Sequence, residues 1–80
     1  MYSTALCPYC RMAERLLHER GVTVIEKIAV DREPGRLDEM MKRTGRRTVP
    51  QIYIGERYVG GYDDLAALDH SGELRQLLSA

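Results

Sequence analysis

At 80 residues the chain has room for one modest core, and its high ratio of surface to volume leaves little stability margin. Twelve Lys and Arg against twelve Asp and Glu cancel, which argues against nucleic acid or an anionic membrane as a partner. No apolar run approaches the roughly 20 residues needed to span a bilayer, and the N-terminus lacks the basic and apolar segments of a secretory signal, so a cytoplasmic location is expected.

Met1 to Thr4 leave room only for a short first strand. Residues 8 to 20 read as a helix: Pro8 suits the first helical position, Ala13, Leu16 and Leu17 share a side, and Gly21 can take the left-handed residue after the last turn. "VTVIEKIAV", 22 to 30, is rich in β-branched residues and predicts a strand, with Glu26 breaking the alternation at a bulge or an edge. Asp31 and Pro34 then precede a second amphipathic helix that turns Leu37, Met40 and Met41 inward and ends at Gly45.

Two short strands follow, 51 to 54 and 57 to 60, meeting in a tight hairpin at Gly55-Glu56. "YDDLAALDHSGELRQLL" supplies helix starts at Asp63 and at Ser71 or Gly72, with Leu65, Leu68, Leu74, Leu77 and Leu78 as the buried side. The order opens as βαβ and closes with a hairpin and helix. The opening calls for parallel strands joined by a right-handed crossover, and the hairpin adds an antiparallel pair. The expected fold is therefore α/β and thioredoxin-like: one domain over 1–80, a four-stranded mixed sheet flanked by helices, its first strand shortened.

Both cysteines lie in "LCPYCRMAERLLHERG", at the start of the first helix. In a reducing compartment a disulfide across so short a loop is a poor structural staple, which favours chemistry over scaffold. Unsatisfied N–H groups and the positive end of the dipole favour the anionic form of a thiol at a helix start, so Cys7 is the candidate nucleophile. Cys10, one turn along the same side and more enclosed, is the candidate resolving thiol. Pro8 limits the geometries the pair can sample. Zinc is disfavoured, because a closed site wants four ligands and His18 and His70 lack paired spacing. Both histidines read as solvated helix residues.

"CPYC" at 7 to 10, "TVPQIYI" at 48 to 54 and "GGYDDL" at 60 to 65 resemble the active-site motif, the cis-proline loop and the glutathione-binding turn of dithiol glutaredoxins. The resemblance covers essentially the whole chain. It implies a glutathione-dependent thiol–disulfide oxidoreductase in which Cys7 attacks protein–glutathione mixed disulfides and Cys10 is needed for protein disulfides. Tyr9 would flank the tripeptide, and Thr48 and Val49 would offer backbone groups to its cysteinyl part beside a cis bond before Pro50. Asp63 and Asp64 would meet the γ-glutamyl amine and carboxylate. Gly60 and Gly61 would let ligand approach, although a strand-to-helix turn calls for a glycine there in any case.

Glutathione would be the reducing cosubstrate, with no tightly bound cofactor and no metal. The partners expected are disulfide-bearing or glutathionylated proteins and, indirectly, an NADPH-dependent glutathione reductase, with the chain acting as a monomer. Two features depart from the family pattern. Thr4 stands where a lysine commonly helps bind the glycine carboxylate, and Leu37 replaces a polar residue used toward the same group, leaving Arg47 and Arg11 as the nearby cations. Two other functions fit the same residues. One is a hydrogen donor served by thioredoxin reductase, against which "GGYDDL" argues. The other is a carrier in which two copies share an iron–sulfur cluster through one Cys7 and one glutathione each, against which the stiffness of Pro8 argues.

Overall fold

The computed structural model describes residues 1–79. Its elements run β1 (Tyr2–Ser3), α1 (Pro8–Glu19), β2 (Ile28–Ala29), α2 (Arg36–Thr44), β3 (Ile52–Ile54), β4 (Arg57–Gly60), α3 (Tyr62–Ser71) and α4 (Glu73–Ser79). β1 pairs with β2 in parallel, and β3 with β4 antiparallel. Reciprocal bonds between Tyr2 and Gln51, at 2.9 and 3.2 Å, stitch the two pairs together. The strands thus lie in the order β2-β1-β3-β4 of a thioredoxin-like fold, the expected four-stranded mixed sheet being reduced to two small sheets joined at this one bridge next to β3.

The expected strand at 22 to 30 shrinks to Ile28–Ala29. Among the described residues its only strand partner, β1, is two residues long, so residues 22 to 27 find no strand with which to extend the ladder. The N-terminal ammonium donates to the Glu26 carbonyl at 2.7 Å, Ile25 still packs on the core, and Val24 is left 83% exposed. The hairpin forms where the sequence puts it. Gly55 at φ 62° takes the first central position, and Glu56 stays at negative φ, the combination that a type II′ turn demands.

α1 ends as expected: Gly21 takes φ 96°, and the Val22 N–H closes back on the Leu17 carbonyl at 3.0 Å. α2 buries Met40 completely but leaves Met41 half-buried and Leu37 38% exposed, so Leu37 does not face the core as expected. Asp31 does not cap this helix. Its carboxylate accepts the Ala5 N–H at 3.3 Å, and Gly35 sits at the helix start.

The C-terminal segment contains two helices separated by Gly72 at φ 88°. α3 begins one residue earlier than Asp63 predicts, with Gly61 flanking it and Asp64 at its third position. The reason is the Asp64 carboxylate, which reaches back to accept the Gly61 N–H at 2.9 Å and so fixes the first turn around Tyr62. Ala13 and Leu17 of α1, Ile52 of β3, Leu65 of α3 and Leu74 of α4 form the buried core. Each leucine buried there contributes about 1.5–3 kcal/mol. Arg20 grips the Asp69 carboxylate at 2.6 and 2.9 Å, tying the end of α1 to α3. No helix among the described residues is long and apolar enough to cross a membrane.

Candidate active site

Cys7 is the residue flanking the start of α1, with extended backbone angles of −137° and 96° and Pro8 occupying the first helical position. Its Sγ accepts the Cys10 N–H at 3.1 Å. One of the orphan donors of the helix start thus points at this sulfur and favours negative charge on it. Cys7 and Cys10 are joined as a disulfide with their Cα atoms 5.2 Å apart. The two are 7% and 5% exposed in this oxidised form, so burial does not set them apart as expected. Position does: Cys7 lies where the helix N–H groups converge, and Cys10 is already within the first turn.

On one side of Cys7 the loop between α2 and β3 comes close, and the Val49 carbonyl lies 3.8 Å from the Cys7 sulfur. The Val49–Pro50 bond is cis, and among the described residues neither the N–H nor the carbonyl of Val49 takes part in a backbone–backbone hydrogen bond. Gln51, 1% exposed, holds this loop from below: its amide donates to the Thr48 carbonyl at 2.9 Å and accepts from the Tyr58 hydroxyl. A buried amide fully engaged in this way costs little and fixes the chain on either side of it.

Beyond Val49 opens a cleft of about 310 Å³. The sequence-predicted Tyr9, Thr48, Val49, Pro50, Gly61, Asp63 and Asp64 all line it, although they come from three separate stretches of chain. Two residues that sequence reasoning passed over complete it, Tyr62 and Arg46. The Tyr62 ring sits 6.1 Å from that of Tyr9, and a tyrosine directly after two glycines was the available signal. Arg46 reaches Asp64 at 3.2 Å. The Gly61 N–H and, after it, Arg46 hold the Asp64 carboxyl below the usual carboxylate range, while partial burial opposes them.

Arg47, the expected cation, is exposed and outside the lining of this cleft, and its neighbour Arg46, also exposed, lines the rim instead. Arg11 is separated from it as well. With Thr4, Cys7 and Cys10 it lines a second cleft of about 330 Å³. Gly60 and Gly61 also differ in role. Gly60, at φ 118°, is needed because a Cβ there would collide with the Asp64 carboxylate, whereas a Cβ on Gly61 would only touch the Pro50 carbonyl oxygen at 3.7 Å. Gly61 is thus the one facing the cleft.

A family model described as glutaredoxin matches residues 1–59. A glutaredoxin of Neisseria meningitidis is 51% identical over 79 residues, 99% of this chain and 93% of the relative. Glutaredoxin 3 of Escherichia coli is 45% identical over 78 residues, 98% of this chain and 93% of the relative. Among solved structures, a buckwheat glutaredoxin–glutathione complex superposes with a TM-score of 0.89 at 28% identity, covering 98% of this chain and 73% of that one. The solution structure of a Brucella melitensis glutaredoxin gives 0.82 at 44% identity, covering 96% and 83%.

Proposed function

The chain belongs to the glutaredoxin family and is a thiol–disulfide oxidoreductase, and from that premise we propose that it draws its electrons from glutathione, reducing protein disulfides and removing glutathione from protein thiols. The observation that carries this reading is the cleft lined by Tyr9, Thr48–Pro50 and Gly61–Asp64, which meets the Cys7 sulfur at the Val49 carbonyl. One neighbour in structure is described as a glutathione complex, which supports the same ligand here.

In the proposed cycle the Cys7 thiolate attacks the glutathionyl sulfur of a mixed disulfide. The bond from Cys7 to that sulfur forms, the old S–S bond breaks, and the protein leaves as a thiolate that takes up a proton. A second glutathione thiolate then attacks the adduct, giving oxidised glutathione and free Cys7. For a protein disulfide, Cys7 first forms a mixed disulfide with one protein sulfur while the other leaves. Cys10 then attacks Cys7, releasing the reduced protein and closing the Cys7–Cys10 bond, the state in which the pair stands here. Two glutathiones reopen it. During these steps the free N–H and carbonyl of Val49 would pair with the cysteinyl backbone of the tripeptide, Tyr9 and Tyr62 would wall it in, and Asp63 would accept its ammonium. A dithiol that cycles in this way suits a reducing, cytoplasmic compartment.

The test is a coupled assay on a glutathionylated peptide and on a protein disulfide. Turnover is expected with glutathione, NADPH and glutathione reductase. Turnover with thioredoxin reductase in place of both would overturn the reading.

A further inference from the structure

Arg46 lines the cleft, and its surroundings assign it more than a surface charge. It follows Gly45, which ends α2 at φ 72°, and its own N–H donates to the Thr44 hydroxyl at 3.0 Å, so its backbone is anchored to the last turn of α2. Its side chain crosses to α3, where Nη1 donates to Asp64 Oδ2 at 3.2 Å. A guanidinium has five N–H donors in a rigid plane, and among the described residues this is the only side-chain bond Arg46 makes. The other four stay available on the rim of the cleft.

Asp64 in turn is spoken for, since the same oxygen accepts the Gly61 N–H at 2.9 Å. Of the two acidic residues in the cleft, Asp64 therefore serves to aim the arginine and close the helix start, while Asp63 has no side-chain partner among the described residues. Directly behind them the first N–H groups of α3, on Tyr62, Asp63 and Asp64, have no backbone acceptor, the first intrahelical bond being Leu65 to Gly61 at 3.0 Å. One end of the cleft thus gathers a tethered guanidinium, orphan amides and one free carboxylate. That set fits a free α-amino-acid group, its carboxylate on the donors and its ammonium on Asp63.

We propose that Arg46, aimed by Asp64, is a specificity-determining residue that reads the α-carboxylate of a γ-linked glutamyl group, a different carboxylate from the glycine one toward which sequence reasoning turned Arg47. The inference rests on glutathione being the ligand. Because the Arg46–Asp64 pair is half exposed, it is weakly held, and sharing the guanidinium with a ligand carboxylate costs the protein little.

The experiment is a cycle between enzyme and substrate. In a Cys10→Ser background, single-turnover formation of the Cys7–glutathionyl adduct is followed by mass spectrometry as a function of the concentration of a small glutathione mixed disulfide. Three forms of that substrate are compared: unmodified, amidated on the glutamyl α-carboxylate, and amidated on the glycine carboxylate. Arg46→Ala is expected to weaken half-saturation about tenfold for the unmodified and glycine-amidated forms, with the rate at saturation little changed. It should lose that effect on the α-amidated form, and Arg46→Lys should recover part of the loss. An equal loss on all three substrates, or a loss that disappears only with glycine amidation, overturns the assignment of Arg46 while leaving the glutathione reading intact. If the enzyme bearing Arg46 treats all three substrates alike, the glutathione reading falls and this inference with it.

Discussion

Gly60→Ala separates two ways in which glycine can serve this site. The residue sits at φ 118°, and an added Cβ would overlap the Asp64 carboxylate, while Gly61 at φ −87° has nothing nearer than 3.7 Å. Forcing alanine into the first position costs about 1–3 kcal/mol of backbone strain. It also displaces Asp64 from the Gly61 N–H, a loss of about 1 kcal/mol for a cap that is half exposed and can be rehydrated. The sum, about 2–4 kcal/mol, is a large part of the stability an 80-residue domain has to lose. Gly61→Ala should lie within about 1 kcal/mol of the parent on either side. Urea unfolding followed by circular dichroism measures both. Combining Gly60→Ala with Asp64→Ala should cost about 1 kcal/mol less than the sum of the two changes, because the clash disappears with the carboxylate. A Gly60→Ala protein within 0.5 kcal/mol of the parent (on the order of the error of such cycles), or strict additivity with Asp64→Ala, would refute the reasoning.

Cys7→Ser should abolish both deglutathionylation and protein-disulfide reduction, whereas Cys10→Ser should keep the first and lose the second; equal losses in the two variants would contradict the division of labour. Asp63→Ala should raise KM for a glutathionylated peptide by about one to two orders of magnitude, with the fold intact, since it removes the acceptor for a charged amine. Because the folded Asp64 carboxyl is held below its unfolded value, its contribution is fully present at neutral pH and drains away as pH falls through the folded value. The urea midpoint should therefore fall less steeply below about pH 4 in Asp64→Asn than in the parent. The remaining slope belongs to Asp69, held down by Arg20, and to Glu39, held down chiefly by the Tyr2 hydroxyl. Thr4→Lys places an ammonium in the cleft that contains Cys7 and Cys10, and alkylation of reduced Cys7 at pH 6 should quicken a few-fold at low salt, an effect that should fade as salt is added.

The fold was legible wherever local chemistry decides. Proline at the start of α1, glycines at 21, 45, 55 and 72, and the leucines of α1, α3 and α4 mark turns and buried faces through rules that act within a few residues. It was not legible where a partner far along the chain decides. "VTVIEKIAV" has the composition of a nine-residue strand, yet β1 offers two residues to pair with, and the remainder joins no ladder and leaves Val24 exposed. Leu37 fails for a similar reason: its hydrophobicity says inward, but α2 packs through Met40, and the next helical position on that face is only half-covered.

The site divides along the same line. The Cys7–Cys10 pair was readable because its chemistry is local: a thiol flanking a helix start, one turn from a second thiol, receives the helix donors whatever the rest of the chain does. The cleft is non-local, and only the resemblance gathered its three stretches together in advance. It named Arg47 as a nearby cation, whereas the arginine that lines this cleft is its neighbour Arg46. Arg46 and Arg47 are the same residue type with the same charge and propensity, and they differ only in that the fold puts the first against the cleft and the second outside it. The path of that stretch is fixed by contacts on either side of it that neither arginine's own character announces: Gly45 ends α2 in the left-handed region at one end, and the Gln51 side chain clamps the Thr48 carbonyl at the other.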